Sequence, residues 1–232
     1  MAYQMGSDGF FKTVNELPVK KKPLPSSTHY SGWTSQGPIG VMLHGTAGCT
    51  SDIYGILATR GISAHFNVDR AGNIYQYVSV RDRAAHAYDA NHTFFGIEHT
   101  GQHSSCKGYT KAQRNASARL TAALVEWTAR RWDTDIPLRH VKGCPLTPGF
   151  KEHRDGVNCY WNPSTHVDNP GTFWGWDTYL DLVRASVGAT ERRSFKVGTK
   201  TFNTLRRALR YLRRALRDGE VGEAETIRIT QR

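Results

Sequence analysis

A short apolar run from Ile39 to Leu43 ends in His44, and this combination constrains the fold more than any other feature of the chain. The run is compatible with β structure and is bounded by Gly and Pro, which is typical of a buried strand. A histidine that ends such a strand lies at a sheet edge, where rigid backbone can hold a metal ligand. We therefore expect a central sheet with a polar site at its edge.

A second polar cluster lies more than a hundred residues further along the chain. It contains His153 and, in a loop rich in Gly, Asn and Pro, Asp168. With His44 these residues offer two imidazoles and one carboxylate. Three nitrogen or oxygen ligands with an open fourth position are typical of a catalytic zinc site rather than a structural one.

Strand and helix signals alternate after the first strand. Apolar positions spaced by three and four residues predict an amphipathic helix over residues 111–132. The other predicted elements are a strand at 63–68, a strand at 73–78 joined to it by a hairpin turn, a strand at 94–99 and a helix at 176–187. Strands interleaved with helices predict an α/β fold with a central mixed β-sheet flanked by helices.

Composition divides the chain into three parts. Residues 1–37 are rich in Lys, Pro, Ser and Gly and predict an extended N-terminal arm. Residues 38–188 form the predicted catalytic domain. Residues 189–232 predict a small β-α-β appendage, with strands near 194–202 and 226–230 around an arginine-rich helix that begins after Asn203.

The net charge of +11 is concentrated in this appendage. Residues 189–232 hold 12 Lys and Arg against 5 Asp and Glu, a surplus of +7. Such a surplus suits an acidic partner, which could be nucleic acid, an anionic membrane or the anionic bacterial cell wall. The segment has no helix-turn-helix, zinc-finger or RNA-binding motif, so no specific nucleic acid is expected.

The chain has no apolar run of 18 residues, which predicts that it has no transmembrane segment. Its first residues lack the basic and apolar regions of a secretory signal, so we expect synthesis in the cytoplasm. The four cysteines form no CxxC pair. Because a reducing cytosol disfavours disulfides, the cysteines are expected to be free thiols.

Four segments in order resemble the zinc-dependent N-acetylmuramoyl-L-alanine amidase family, which includes phage endolysins and peptidoglycan recognition proteins. The resemblance covers residues 40–188, about two thirds of the chain. Each motif is weak alone, and their order makes the signal strong. The segments are Leu43-His44-Gly45-Thr46, the hairpin around Ser63-Ala64-His65-Phe66, the strand Gly96-Ile97-Glu98, and the loop from His153-Arg154-Asp155 to Asp168-Asn169-Pro170-Gly171.

The resemblance implies that His44, His153 and Asp168 bind Zn²⁺. The metal would lower the pKa of a bound water and polarise the scissile amide carbonyl. The resemblance also implies that Glu98 is the general base, which takes a proton from this water and passes it to the leaving amine. His166 stands where relatives often carry lysine and would face the developing oxyanion.

The chain departs from the family pattern in its metal loop. The spacing between His153 and Asp168 is longer, and the loop reads Asp-Asn-Pro-Gly rather than Asp-Pro-Gly. The third ligand therefore stays open between Asp168, His166 and Cys159. The resemblance further implies that His86 and Asn91 face the cleft, where either could contact the muropeptide or serve a structural role.

The resemblance implies a peptidoglycan hydrolase that cuts the amide between N-acetylmuramic acid and L-alanine. The basic appendage and the cytoplasmic synthesis favour a monomeric endolysin that reaches the wall through holin-made lesions and binds anionic wall polymer through its C-terminus. The alternative function is a non-catalytic peptidoglycan-binding protein. Recognition members of the family have lost metal ligands, whereas all the candidate ligands and Glu98 persist here.

Overall fold

The structure is a computed structural model of the 232-residue chain. It describes residues 3–46, 48–49, 51–101, 108–157, 174–188, 193–197, 200–202, 211–212, 214–215 and 228–231. These residues form two compact units, Met1–Val187 and Gly188–Arg232, which we call the main unit and the C-terminal unit. The division of function between 38–188 and 189–232 stays a prediction.

An eight-stranded mixed sheet forms the centre of the main unit, with the strand order β1-β2-β3-β7-β6-β9-β5-β10. The predicted fold class, an α/β fold with a central mixed sheet and flanking helices, is confirmed. The strands of this sheet are β1 (Tyr3–Met5), β2 (Phe11–Val14), β3 (Leu17–Lys21), β5 (Gly40–Thr46), β6 (Phe66–Val68), β7 (Ile74–Gln76), β9 (Phe94–Thr100) and β10 (Gly149–Glu152). Two short strands, β4 (His29–Tyr30) and β8 (Arg83–Ala84), pair separately.

Among the described residues of the main unit, four α-helices accompany the sheet: α1 (Tyr54–Arg60), α2 (Lys111–Trp132), α3 (His153–Val157) and α4 (Trp176–Gly188). Helix α2 has the bounds that its apolar periodicity predicts. Thr110 caps it, because the Thr110 hydroxyl accepts a hydrogen bond of 3.0 Å from the backbone N–H of Gln113. The predicted inward residues of α2 are all buried: Ala116, Leu120, Ala123, Leu124 and Trp127.

Strand β5 has a different environment on each of its faces. Val41 and Leu43 belong to the main core with the inward residues of α2. Met42 alternates with them and packs against Ala90 and Phe94 in a smaller cluster. Because side chains alternate along a strand, His44 lies on the same face as Met42, opposite to α2.

The first 37 residues differ from the extended arm that their composition predicts. Strands β1, β2 and β3 form an antiparallel meander, and β3 pairs in parallel with β7. Phe11 and Val14 are buried in the main core. The arm prediction was wrong because Lys, Pro and Ser are as compatible with an edge of a sheet as with a linker, and only the long-range pairing with β7 distinguishes the two.

The free-thiol prediction was also wrong, because Cys49 and Cys144 are both disulfide-bonded. The prediction assumed that the protein stays in a reducing cytosol, where disulfides are disfavoured. Spacing along the sequence carries no information about which sulfur atoms a fold brings within bonding distance. Cys106 and Cys159 lie outside the described residues.

In the C-terminal unit a three-stranded antiparallel sheet has the order β12-β11-β13. Its strands are β11 (Arg193–Val197), β12 (Lys200–Phe202) and β13 (Arg228–Gln231). The single strand predicted at 194–202 is thus two strands. Most of the arginine-rich segment between β12 and β13 lies outside the described residues. Across the part of the chain that the structure describes, no helix has the length and apolar character needed to span a membrane.

Candidate active site at the carboxyl edge of the sheet

Three parallel strands bring the candidate site residues together. In the register of β5 and β9, His44 stands opposite Glu98. In the register of β5 and β10, Glu152 stands opposite Leu43, so His153 follows at the level of His44. Since the carboxyl ends of parallel strands meet at one edge of the sheet, residues far apart in sequence form one cluster there.

The two histidines lie against each other. The centroids of their rings are 4.4 Å apart, and the side chains of both are buried. Glu98 completes the group, with its Oε1 atom 3.7 Å from Nδ1 of His44 and only 12% of its side chain exposed. Two adjacent imidazoles beside a carboxylate provide nitrogen and oxygen donors of the kind that Zn²⁺ prefers.

The third predicted ligand, Asp168, lies outside the described residues, as do His166 and Cys159. Among the residues that the structure does describe, no set of three His, Cys, Asp or Glu side chains is placed to hold a metal ion. The described donors, two imidazoles and a carboxylate, are of the kind that suits zinc, and the identity of the third protein ligand stays a prediction.

His86 lies behind His44. Nδ1 of His86 is 2.9 Å from Nε2 of His44, and Nε2 of His86 is 3.1 Å from the carbonyl oxygen of Phe94. Burial lowers the pKa of His86 well below its ordinary value, and the nearby His44 and His65 rings lower it further. His86 is therefore neutral. Its predicted contact with the muropeptide stays a prediction.

Asn91 is buried and organises the backbone beside His86. Its Oδ1 atom accepts hydrogen bonds from the backbone N–H groups of His86, at 2.8 Å, and Ala87, at 2.6 Å. These bonds hold the backbone of residues 86 and 87 against the side chain of Asn91. The predicted substrate contact of Asn91 also stays a prediction.

His99, to which the sequence assigns no role, supports His44 from the other face of the sheet. Its Nδ1–H donates to the carbonyl oxygen of His44 at 3.0 Å, and its Nε2 accepts from the Ser117 hydroxyl of α2 at 2.8 Å. The Tyr179 hydroxyl of α4 continues this chain, 3.0 Å from Ser117 Oγ. Burial lowers the pKa of His99 to about 3, so the ring is neutral.

His65 directly precedes β6 and is fully buried. It donates from Nε2 to the carbonyl oxygen of Asp82 at 3.0 Å and accepts at Nδ1 from the backbone N–H of Gly96 at 3.0 Å. Trp33 stacks on its ring at 5.5 Å. Burial lowers the pKa of His65 to about 3. Sequence alone cannot reveal the partners of His65 and His99, because they come from distant segments.

Two acidic residues support the segment that carries His153. Glu152 accepts a hydrogen bond of 2.8 Å from the indole of Trp176, and Asp155 accepts from the backbone N–H groups of Gly143 and Glu152 at 3.2 Å each. Burial works to raise the pKa of Asp155. These hydrogen bonds and the one from His140 outweigh burial and lower it, so Asp155 stays ionised.

Tyr109 is a further residue that the sequence does not single out. Its ring lies against Trp174, with the centroids 5.0 Å apart. Its hydroxyl has a raised pKa because of burial and of the negative charges of Glu98 and Glu152. The Tyr109 hydroxyl is therefore protonated in the field of Glu98 and Glu152.

Comparison with known proteins identifies relatives of this chain. The sequence profile of the N-acetylmuramoyl-L-alanine amidase family matches residues 29–170. N-acetylmuramoyl-L-alanine amidase A of Achromobacter lyticus is 28% identical over 140 residues, which is 55% of this chain and 71% of that protein.

Solved structures share the fold at low sequence identity. The Staphylococcus aureus hydrolase AmiA in complex with its ligand superposes with a TM-score of 0.54 at 16% identity, covering 74% of this chain and 84% of that chain. The endolysin N-acetylmuramoyl-L-alanine amidase LysCS of Clostridium intestinale superposes with a TM-score of 0.51 at 18% identity, covering 73% of this chain and 97% of that chain.

Proposed function

The chain belongs to the N-acetylmuramoyl-L-alanine amidase family of peptidoglycan amidases, and we propose that it cuts the amide between N-acetylmuramic acid and L-alanine with Zn²⁺ held by His44, His153 and Asp168. The observation that carries this proposal is the strand register, which places His44 opposite Glu98 and beside His153 at one edge of the sheet. When bound, the metal supplies Lewis acidity, which lowers the pKa of water and polarises an amide carbonyl.

The protein residues have separate tasks in this reaction. Glu98 lies beside His44 and is largely buried, but a small part of its side chain stays exposed to solvent. As general base it takes a proton from the attacking water and passes it to the departing amine of L-alanine. The new carboxyl group forms on the lactyl side of muramic acid. We assign His166, in the segment next to the third ligand, to hydrogen bonding of the developing oxyanion.

We propose an endolysin role for the whole chain. The C-terminal unit is compact in itself, and its sequence carries most of the net positive charge. A basic module of this kind suits anionic cell-wall polymer. The similar fold of a Clostridium intestinale endolysin is consistent with this role.

Analysis of the reaction products tests the proposed bond specificity. Purified peptidoglycan is digested with the full chain, with and without a chelator, and the fragments are identified by mass spectrometry. We expect new L-alanine amino groups, loss of the reaction on chelation and recovery with Zn²⁺. New reducing sugars, activity that survives complete metal removal, or tight muropeptide binding without turnover would each contradict the proposal.

A further inference from the structure

The hydrogen bonds of His86 determine which of its nitrogens carries the proton. A carbonyl oxygen can only accept, so the 3.1 Å contact with Phe94 requires a proton on Nε2 of His86. In a neutral imidazole the other nitrogen then carries the lone pair. Nδ1 of His86 is therefore an acceptor.

The tautomer of His86 determines the tautomer of His44, because the two rings share a hydrogen bond. Nε2 of His44 lies 2.9 Å from Nδ1 of His86, and an acceptor at that distance requires a donor. Nε2 of His44 must therefore carry the proton of that ring. The lone pair of His44 is then on Nδ1, the atom that lies 3.7 Å from Oε1 of Glu98.

The position of His86 is fixed from two sides. Asn91 accepts hydrogen bonds from the backbone of His86 and Ala87. Gly96 of β9 lies directly against the ring, since a Cβ atom built on Gly96 would be 2.6 Å from Cγ of His86. Any larger residue at position 96 would displace the imidazole from His44.

We infer that His86 is a positioning residue that fixes the tautomer of His44 and so selects Nδ1 as its metal-binding nitrogen. Metal-binding histidines generally donate their second ring N–H to an acceptor that orients the ring. Here that acceptor is a second histidine, which is itself held by the Phe94 carbonyl. This inference rests on the proposed zinc function, although the tautomer of His44 can be measured without metal.

The test combines a tautomer measurement and a metal titration on the full chain. Long-range ¹⁵N–¹H correlation spectra of the metal-free protein report which nitrogen of His44 carries hydrogen. We expect Nε2–H alone in the wild type and a loss of this single form in His86→Leu. The zinc dissociation constant is expected to rise by about 10- to 100-fold in His86→Leu. His86→Gln retains an acceptor and a donor, so it should preserve both properties.

Two further variants separate positioning from a general effect on stability. Gly96→Ala keeps both histidines but displaces the His86 ring, and it should reproduce the loss of the single tautomer even if His86→Leu fails to fold. Leu120→Ala removes buried apolar volume on α2, on the face of the sheet opposite to His44, and it should leave the tautomer unchanged.

The outcomes distinguish this inference from the proposed function. A wild-type His44 protonated on Nδ1 would overturn the inference, as would an unchanged tautomer in both His86→Leu and Gly96→Ala. If the wild type shows the expected tautomer but binds no zinc, the zinc function fails while the assignment of His86 as the residue that fixes the His44 tautomer stands.

Discussion

The buried neutral His99 makes the stability of the main unit depend on pH. Burial lowers the pKa of His99 to about 3, whereas an unfolded histidine has its ordinary value of 6.5. Between these values the unfolded chain binds a proton that the folded chain excludes. The stabilisation is therefore complete above about pH 6.5 and is lost as the pH falls toward 3. One pKa unit corresponds to 1.36 kcal/mol. Proton binding by His99 in the unfolded chain therefore lowers the free energy of unfolding by about 2 kcal/mol between pH 7 and pH 5.

The variant His99→Gln removes this titration while retaining a donor and an acceptor. We expect it to lose about 1 kcal/mol at pH 7 because its hydrogen bonds to His44 and Ser117 are imperfect. Its further loss on going to pH 5 should be about 2 kcal/mol smaller than that of the wild type. Urea unfolding of the metal-free protein at both pH values measures these differences.

A matched control separates proton binding from simple destabilisation. Leu120→Ala removes buried apolar volume from α2 and should cost about 2 to 5 kcal/mol at either pH. Its change between pH 7 and pH 5 should equal that of the wild type, because leucine does not titrate. An equal pH dependence in the wild type and His99→Gln would refute the reasoning.

Three further expectations concern the base, a helix cap and the C-terminal unit. Glu98→Gln should lower kcat by about 10²- to 10⁴-fold while zinc binding persists, and a rate close to wild type would exclude the general-base role. Thr110→Ala should cost about 1 kcal/mol in urea unfolding, because the backbone N–H of Gln113 loses its acceptor, and an unchanged stability would show that the cap contributes nothing. Ending the chain at Val187 should weaken sedimentation with purified cell walls most strongly at low salt, whereas equal binding by both chains would contradict the wall-binding role.

The sequence predicted the helices and strands whose signals lie within a few neighbouring residues. Helix α2 follows from its apolar periodicity and its Thr110 cap, and β5 follows from a run of apolar residues bounded by glycine and proline. The N-terminal strands could not be predicted in this way, because β3 is defined by its pairing with β7, in which partners such as Val19 and Ile74 are 55 residues apart. A linker and an edge strand of the same composition differ only in such long-range contacts.

The candidate site likewise combines features that the sequence predicted with features that only the fold reveals. The apolar run that ends in His44 predicted a polar site at a sheet edge, and the family resemblance implied Glu98 as the base. The order of the strands and their register, which bring His44 opposite Glu98, required the fold. The role of His99 could not be predicted, because its partner Ser117 lies on a helix whose docking the strand pattern does not encode.

The most direct test of this account is the zinc content of the full chain, measured by elemental analysis after dialysis. We expect one zinc per wild-type chain and its loss in His44→Ala, His153→Ala and Asp168→Ala, with folding of each variant checked by circular dichroism. If folded His44→Ala and His153→Ala retained a full equivalent of zinc, the sheet-edge cluster would not be the metal site and the proposed hydrolysis would lose its basis.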